Sequence, residues 1–228
     1  MIPFYSSEKQ AEHVTAIRSL TGEIMYLVEG EERAVLIDTC LGVGHLRSFT
    51  ETLTPKPLTV ILTHGHVDHA MGAPEFAEVY MNPADESLYD QMSPLEIRNG
   101  YIAANLGGVM PDFQMSDYVL PQKLSYRELT DGMCFDLGGL HLEVYSLPGH
   151  TKGTMIVLIR EERILISGDA CNTATFLFAK EALPVETYRR NLAAAEQKLQ
   201  GRYDRVFLCH HLPEVPAVLF ENVIQVCD

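Results

Sequence analysis

The strongest constraint in this sequence is an apolar run, Leu58-Thr59-Val60-Ile61-Leu62, that leads almost at once into His64-Gly65-His66-Val67-Asp68-His69. Such a run suits a strand buried on both faces. Side chains two apart in an extended segment point the same way, so His64 and His66 can reach one cation. Asp68 and His69 follow where the chain bends away from the strand, and they can face a second cation a few ångströms on. Imidazole and carboxylate together suit zinc, and also iron or manganese. A solvent-exposed histidine-rich loop is the competing explanation, and the buried strand directly before the cluster argues against it.

Three further segments share this design. Leu147-Pro148-Gly149-His150-Thr151, Ile166-Ser167-Gly168-Asp169-Ala170 and Phe207-Leu208-Cys209-His210-His211 each place His or Asp just after an apolar strand. Any one of them alone reads as a cap or turn. Four such ends together point to a site gathered at one edge of a sheet. His13, His45 and His141 have no ligand spacing and read as ordinary structural or surface residues. Cys171 and Cys209 sit near these segments but read as small buried cysteines.

The spacing elsewhere predicts how the chain surrounds that edge. Residues 13–20, 24–29 and 33–38 read as consecutive antiparallel strands separated by turns. Residues 43–53 carry helical spacing. In the second half, 140–147 reads as a strand, 154–159 and 163–167 as a hairpin, 186–199 as a helix and 205–209 as a last buried strand. Two strand-rich halves, each with helices, imply an α/β fold in which two sheets pack together with helices outside. The 228 residues are read as one domain. Residues 83–125 form a helical insertion, with helix-like pieces at 84–92 and 95–106, and Met81, Met92, Met110 and Met115 in or just before it. A surface insertion packed by soft apolar residues and a flexible lid over the site both fit that stretch.

The order HxHxDH, then His in a Pro-Gly-His-Thr setting, then Gly-Asp, then a His after a final strand, resembles the metallo-β-lactamase superfamily from about residue 13 to 212. The resemblance implies a four-layer αββα sandwich and two divalent metal ions, with zinc expected and iron or manganese as alternatives. It implies that His64, His66 and His150 hold the first ion, that Asp68, His69 and His210 hold the second, and that Asp169 bridges them. His211 competes with His210, which is preferred because it directly follows the strand. Asp38, in Leu36-Ile37-Asp38-Thr39, matches the family's early Asp and is expected to orient the histidine loop through hydrogen bonds; a simple turn-former is the alternative. The expected chemistry is hydrolysis of a small ester, thioester, lactone or lactam by a metal-bridging hydroxide. Asp68 would orient the nucleophile or move a proton. Tyr188 is a weaker expectation as a substrate-binding donor, against a place in the core.

Charge and cysteine usage narrow the setting. A net charge of −14 repels phosphate backbones and no Lys/Arg cluster offsets it, so a small molecule rather than nucleic acid is the expected partner. No apolar run reaches the roughly 20 residues that cross a bilayer. Five cysteines, odd in number and without a CxxC pair, and the lack of an export signal fit a cytoplasmic chain. Two other readings compete with the hydrolase: a single-iron enzyme like the persulfide dioxygenases, and a binding module that keeps its ligands only for stability.

Overall fold

A computed structural model of the chain describes residues 3–227. The first sheet runs in sequence order through β1 (Tyr5–Lys9), β2 (Val14–Ser19), β3 (Ile24–Glu29), β4 (Ala34–Ile37), β5 (Leu58–Ile61), β6 (Val79–Met81) and β7 (Arg127–Glu128). Its pairings are antiparallel as far as β4 and parallel from β4 onward. The second sheet comprises β8 (Cys134–Asp136), β9 (His141–Ser146), β10 (Met155–Ile159), β11 (Ile164–Ile166), β12 (Arg205–Phe207) and β13 (Glu214–Pro216), in the order β13-β12-β11-β10-β9-β8. Only β11 and β12 pair in parallel there.

Alternation along the central strands decides the layering. In β3, Ile24, Tyr26 and Val28 face the second sheet, where they meet Val144, Val157, Ile166 and Phe207. Met25 and Leu27 of the same strand face the other way, in a core shared with Leu46, Tyr89 and Ile102. In β10, Ile156 and Leu158 turn away from the first sheet toward Tyr188, Leu192 and Phe220. Each sheet is therefore apolar on both faces, and helices cover the outer ones. These are α1 (Leu46–Leu53), α2 (Val67–Ala70), α3 (Glu86–Met92) and α4 (Leu95–Asn105) on the first sheet, and α5 (Val185–Leu199) and α6 (Leu219–Val226) on the second. The result is the expected αββα sandwich. No described helix is long and apolar enough to cross a membrane.

Departures from the sequence reading have local causes. α1 begins at Leu46 rather than near Val43, because Gly44 and His45 have φ of 91° and 56°, which a right-handed helix cannot contain. β1 escapes the sequence reading because an edge strand with one buried and four exposed residues carries little apolar signal. In the 83–125 stretch, α3 and α4 pack against α2, and Arg98 and Ile102 of α4 are fully buried. The helical part of this stretch thus belongs to the outer layer. Apart from Ile97 on α4, its exposed large apolar side chains gather in the later part, at Val109, Met110, Met115 and Leu120.

Candidate metal centre

The site lies where β4, β5, β9, β11 and β12 end. β5 stops at Ile61, and Thr63 is pinned beyond it: its backbone N–H donates to Asp38 Oδ1 and its hydroxyl to Asp38 Oδ2, both at 2.7 Å. The chain stays extended to His66, which stands at φ −69°, ψ 160° before the single turn of α2. That extension puts His64 and His66 on one side, and the turn swings Asp68 and His69 beside them. Gly65 is required between the histidines. Its N–H donates to Asp85 Oδ2 at 3.0 Å, and a Cβ there would lie 2.9 Å from the Asp85 carbonyl oxygen. Asp85 also accepts from Thr151 Oγ1 at 2.6 Å and Gly153 N–H at 2.8 Å, so this buried carboxylate ties the first histidine loop to the loop carrying His150.

The histidine tautomers follow from their partners. The Thr63 hydroxyl spends its proton on Asp38, so at 3.0 Å it accepts from His64 Nδ1–H. His64 Nε2 is then bare, and it is buried with no hydrogen-bond partner. His66 Nε2 lies 2.8 Å from Glu181 Oε1 and donates to it, which leaves Nδ1 bare. His150 Nδ1 donates to the Phe176 carbonyl at 2.8 Å, which leaves Nε2 bare. His66 Nδ1 and His150 Nε2 face each other at 2.9 Å. With these tautomers three lone pairs converge, an arrangement that a cation satisfies, and His64 Nε2 has no partner in the protein. Burial, reinforced by the neighbouring His69, His66 and His150, holds His64 well below the usual imidazole range and so keeps it neutral.

The second group is charged rather than neutral. Asp169 Oδ2 stands 3.4 Å from His69 Nε2, 3.3 Å from His210 Nε2 and 3.7 Å from His150 Nε2, so it faces both groups. Asp68 Oδ2 lies 3.6 Å from His69 Nε2 and 3.4 Å from His210 Nε2. His69 Nδ1 donates to Asp38 Oδ2 at 2.8 Å. Burial disfavours the charged ring of His69, but Asp68, Asp38 and Asp169 outweigh it and raise its pKa well above the ordinary value. Burial also opposes charge on His210, yet hydrogen bonds to Asp169 and Asp68 push it up to about 10. Burial alone would raise Asp68 and Asp169; the adjacent His69 and His210 reverse this and hold both carboxyls low. Without metal, protons occupy the place a cation would take. Within each group, His64–His66–His150 and Asp68–His69–Asp169–His210, one donor atom per residue lies within 4.8 Å of the others, and either group could hold a metal ion.

The structure brings His210 into this cluster, while His211 is exposed with φ of 58°. It places Tyr188 in the core: the side chain is fully buried, its hydroxyl donates to the Ala170 carbonyl at 2.9 Å, and its ring fills the space a Cβ on Gly149 would need. That packing explains the glycine before His150 and leaves the hydroxyl committed, which corrects the expectation of a substrate donor. Burial, with Asp38, Asp169 and Asp68 nearby, raises the Cys209 thiol well above its ordinary range, and burial pushes Cys171 up to about 12.

Four residues that the sequence reading passed over complete the surroundings: Glu181, Asp85, Tyr101 and Glu23. The Tyr101 hydroxyl on α4 is 2.9 Å from both Asp68 Oδ2 and Glu23 Oε1. Glu23 is buried and also accepts from the hydroxyls of Ser19 and Thr21. None of these four lies at a spacing that marks a ligand.

Comparison with known proteins agrees with this geometry. An acyl-coenzyme A thioesterase of Gallus gallus, MBLAC2, is 28% identical over 160 residues, which is 64% of this chain and 56% of that protein. The Homo sapiens protein of the same name is 27% identical over 158 residues, 64% of this chain and 57% of its own length. The chain thus spans a little over half the length of these curated relatives. A solved metallo-beta-lactamase from Pontibacter korlensis superposes with a TM-score of 0.69 at 21% identity, covering 98% of both chains. The sequence profile of the metallo-beta-lactamase superfamily matches residues 24–210, from β3 through the last histidine of the cluster. With two sheets, the donor set at their edge and that match in agreement, the chain belongs to the metallo-beta-lactamase superfamily.

Proposed function

We propose that this protein is a dinuclear metal-dependent hydrolase that cleaves acyl thioesters. The observation that carries the metal reading is the convergence of bare His64 Nε2, His66 Nδ1 and His150 Nε2 beside the Asp68–His69–Asp169–His210 group. In this reading His64, His66 and His150 hold one ion, Asp68, His69 and His210 hold the other, and Asp169 serves both. Zinc suits this mixture of imidazole and carboxylate. When bound, the ions acidify water and polarise the acyl carbonyl.

The chain's own residues set the stage for that chemistry. Thr63, Glu181, the Phe176 carbonyl and Asp38 each fix one ring, of His64, His66, His150 and His69 respectively. Each aims the opposite nitrogen inward and selects its tautomer. Asp68 is placed to orient the attacking water and receive its proton, and Tyr101 holds its Oδ2 in position. Hydrolysis forms a bond from water oxygen to the acyl carbon and breaks the carbon–sulfur bond, the thiol leaving with a proton. The thioester class is supported by the relatives named as acyl-coenzyme A thioesterases.

The test is a panel of thioesters, esters, lactones and lactams assayed on metal-reconstituted protein. Thioester turnover that disappears on chelation and returns with zinc supports the reading. One iron per chain with persulfide-dependent oxygen uptake would overturn it in favour of the single-iron alternative.

A further inference from the structure

We infer that the apolar groove between residues 172–178 and α6 receives the hydrocarbon tail of the acyl substrate, so that this protein acts on acyl groups with long chains. The inference rests on the thioester reading above. The groove has a volume of about 720 Å³, inside the roughly 300–1,000 Å³ of small-molecule sites. Its lining is mainly apolar, with Leu177, Phe178, Val185, Leu219 and Val223, and includes Asn172.

Asn172 links the groove to the metal centre. The Asn172 side-chain amide points to Asp169 Oδ1 at 3.5 Å. The same loop supplies the Phe176 carbonyl that holds His150 and, a few residues on, the Glu181 carboxylate that holds His66. One face of this segment therefore fixes metal-group histidines while the other walls the groove. In this proposal the acyl chain of a thioester at the metal centre crosses the edge of the segment at Asn172 to enter the groove. Its rim is exposed and apolar: Phe178 is 83% exposed, Val226 is 86% exposed, and the Phe176 and Phe178 rings pair at 5.2 Å. Large apolar side chains left in water at the rim of a groove mark a surface that an apolar ligand covers. The chain's net charge of −14 disfavours an anionic surface as that cover.

The experiment compares acetyl, hexanoyl, dodecanoyl and hexadecanoyl thioesters on the metal-loaded protein. Each methylene that enters the groove should raise kcat/KM about fourfold, equivalent to about 0.8 kcal/mol, until the groove is filled. Phe178→Asp and Val226→Asp, both at solvent-exposed positions that do not threaten folding, should flatten that rise. Leu120→Asp, at an exposed apolar position in the stretch that covers the first sheet, should keep the wild-type rise. Calorimetric binding of dodecanol, a neutral chain that needs no turnover, should be lost in the two groove variants. A chain-length profile that is flat, or that neither variant changes, overturns the inference while leaving thioester hydrolysis intact. A shift from dimer to monomer in Phe178→Asp with an unchanged profile also overturns it, and assigns the face to a second copy of this chain. Failure to hydrolyse any thioester while dodecanol still binds overturns the thioester reading and supports the groove as a site for apolar chains.

Discussion

Replacing Glu181 with alanine should weaken metal binding about tenfold while leaving the fold nearly as stable as before. Glu181 accepts from His66 Nε2 at 2.8 Å and so fixes the ring with Nδ1 facing His64 and His150. Losing such an outer partner typically lowers metal affinity about 10- to 100-fold. The place of this pair in that range follows from its exposure. Glu181 is 27% exposed and His66 13%, so water can partly replace the lost carboxylate, and the low end applies. That is about 1.4 kcal/mol at the metal site. The assay is competition for zinc with a chromophoric chelator, run beside urea denaturation of the metal-free protein. Glu181→Gln keeps an acceptor for His66 Nε2–H and should lose less than Glu181→Ala. Equal affinities in wild type and Glu181→Ala would refute the assignment of His66 Nδ1 as a metal-facing atom.

Other expectations follow from the same contacts. Asp38→Ala removes the acceptor of three buried donors, Thr63 N–H, the Thr63 hydroxyl and His69 Nδ1–H; the hydroxyl can rotate, so the two fixed N–H groups set a stability loss of about 2 to 6 kcal/mol in urea denaturation, unlike Glu181→Ala. His210→Ala should reduce bound metal in elemental analysis, whereas His211→Ala should not, since only His210 stands among the donors. In metal-free protein His210 is raised to about 10, so the stability it contributes is complete below its ordinary pKa near 6.5. That contribution is lost as pH climbs toward 10; denaturation midpoints of metal-free protein should fall across this window, and the fall should shrink when metal replaces the proton. Calorimetry of metal binding at pH 7 in buffers of different ionisation enthalpy should accordingly register proton release.

The parts of the site legible in the sequence are those whose position is dictated by short-range geometry. His64 and His66 stand out because extended backbone has a period of two, and His150, Asp169 and His210 because each follows an apolar strand. Glu181 and Asp85 carry no such mark. Asp85 opens a helix, where an acid is unremarkable, and its role arises only when β10 brings Thr151 and Gly153 beside it. Tyr101 reads as one more aromatic on α4 until that helix packs on α2 and delivers its hydroxyl to Asp68. The layered fold was legible in the central strands, whose apolar residues run continuously, and illegible at the edges. There β1, β7 and β13 are short or mostly exposed, and their pairing depends on neighbours far along the chain.

Metal content measured together with turnover tests the central claim most directly. Protein stripped by chelator and titrated with zinc should bind two ions per chain, with hydrolysis of a long-chain thioester rising as the sites fill. His66→Ala and Asp169→Ala should each depress both quantities. Full thioester turnover in chelated protein, or unchanged metal content in both variants, would contradict the account.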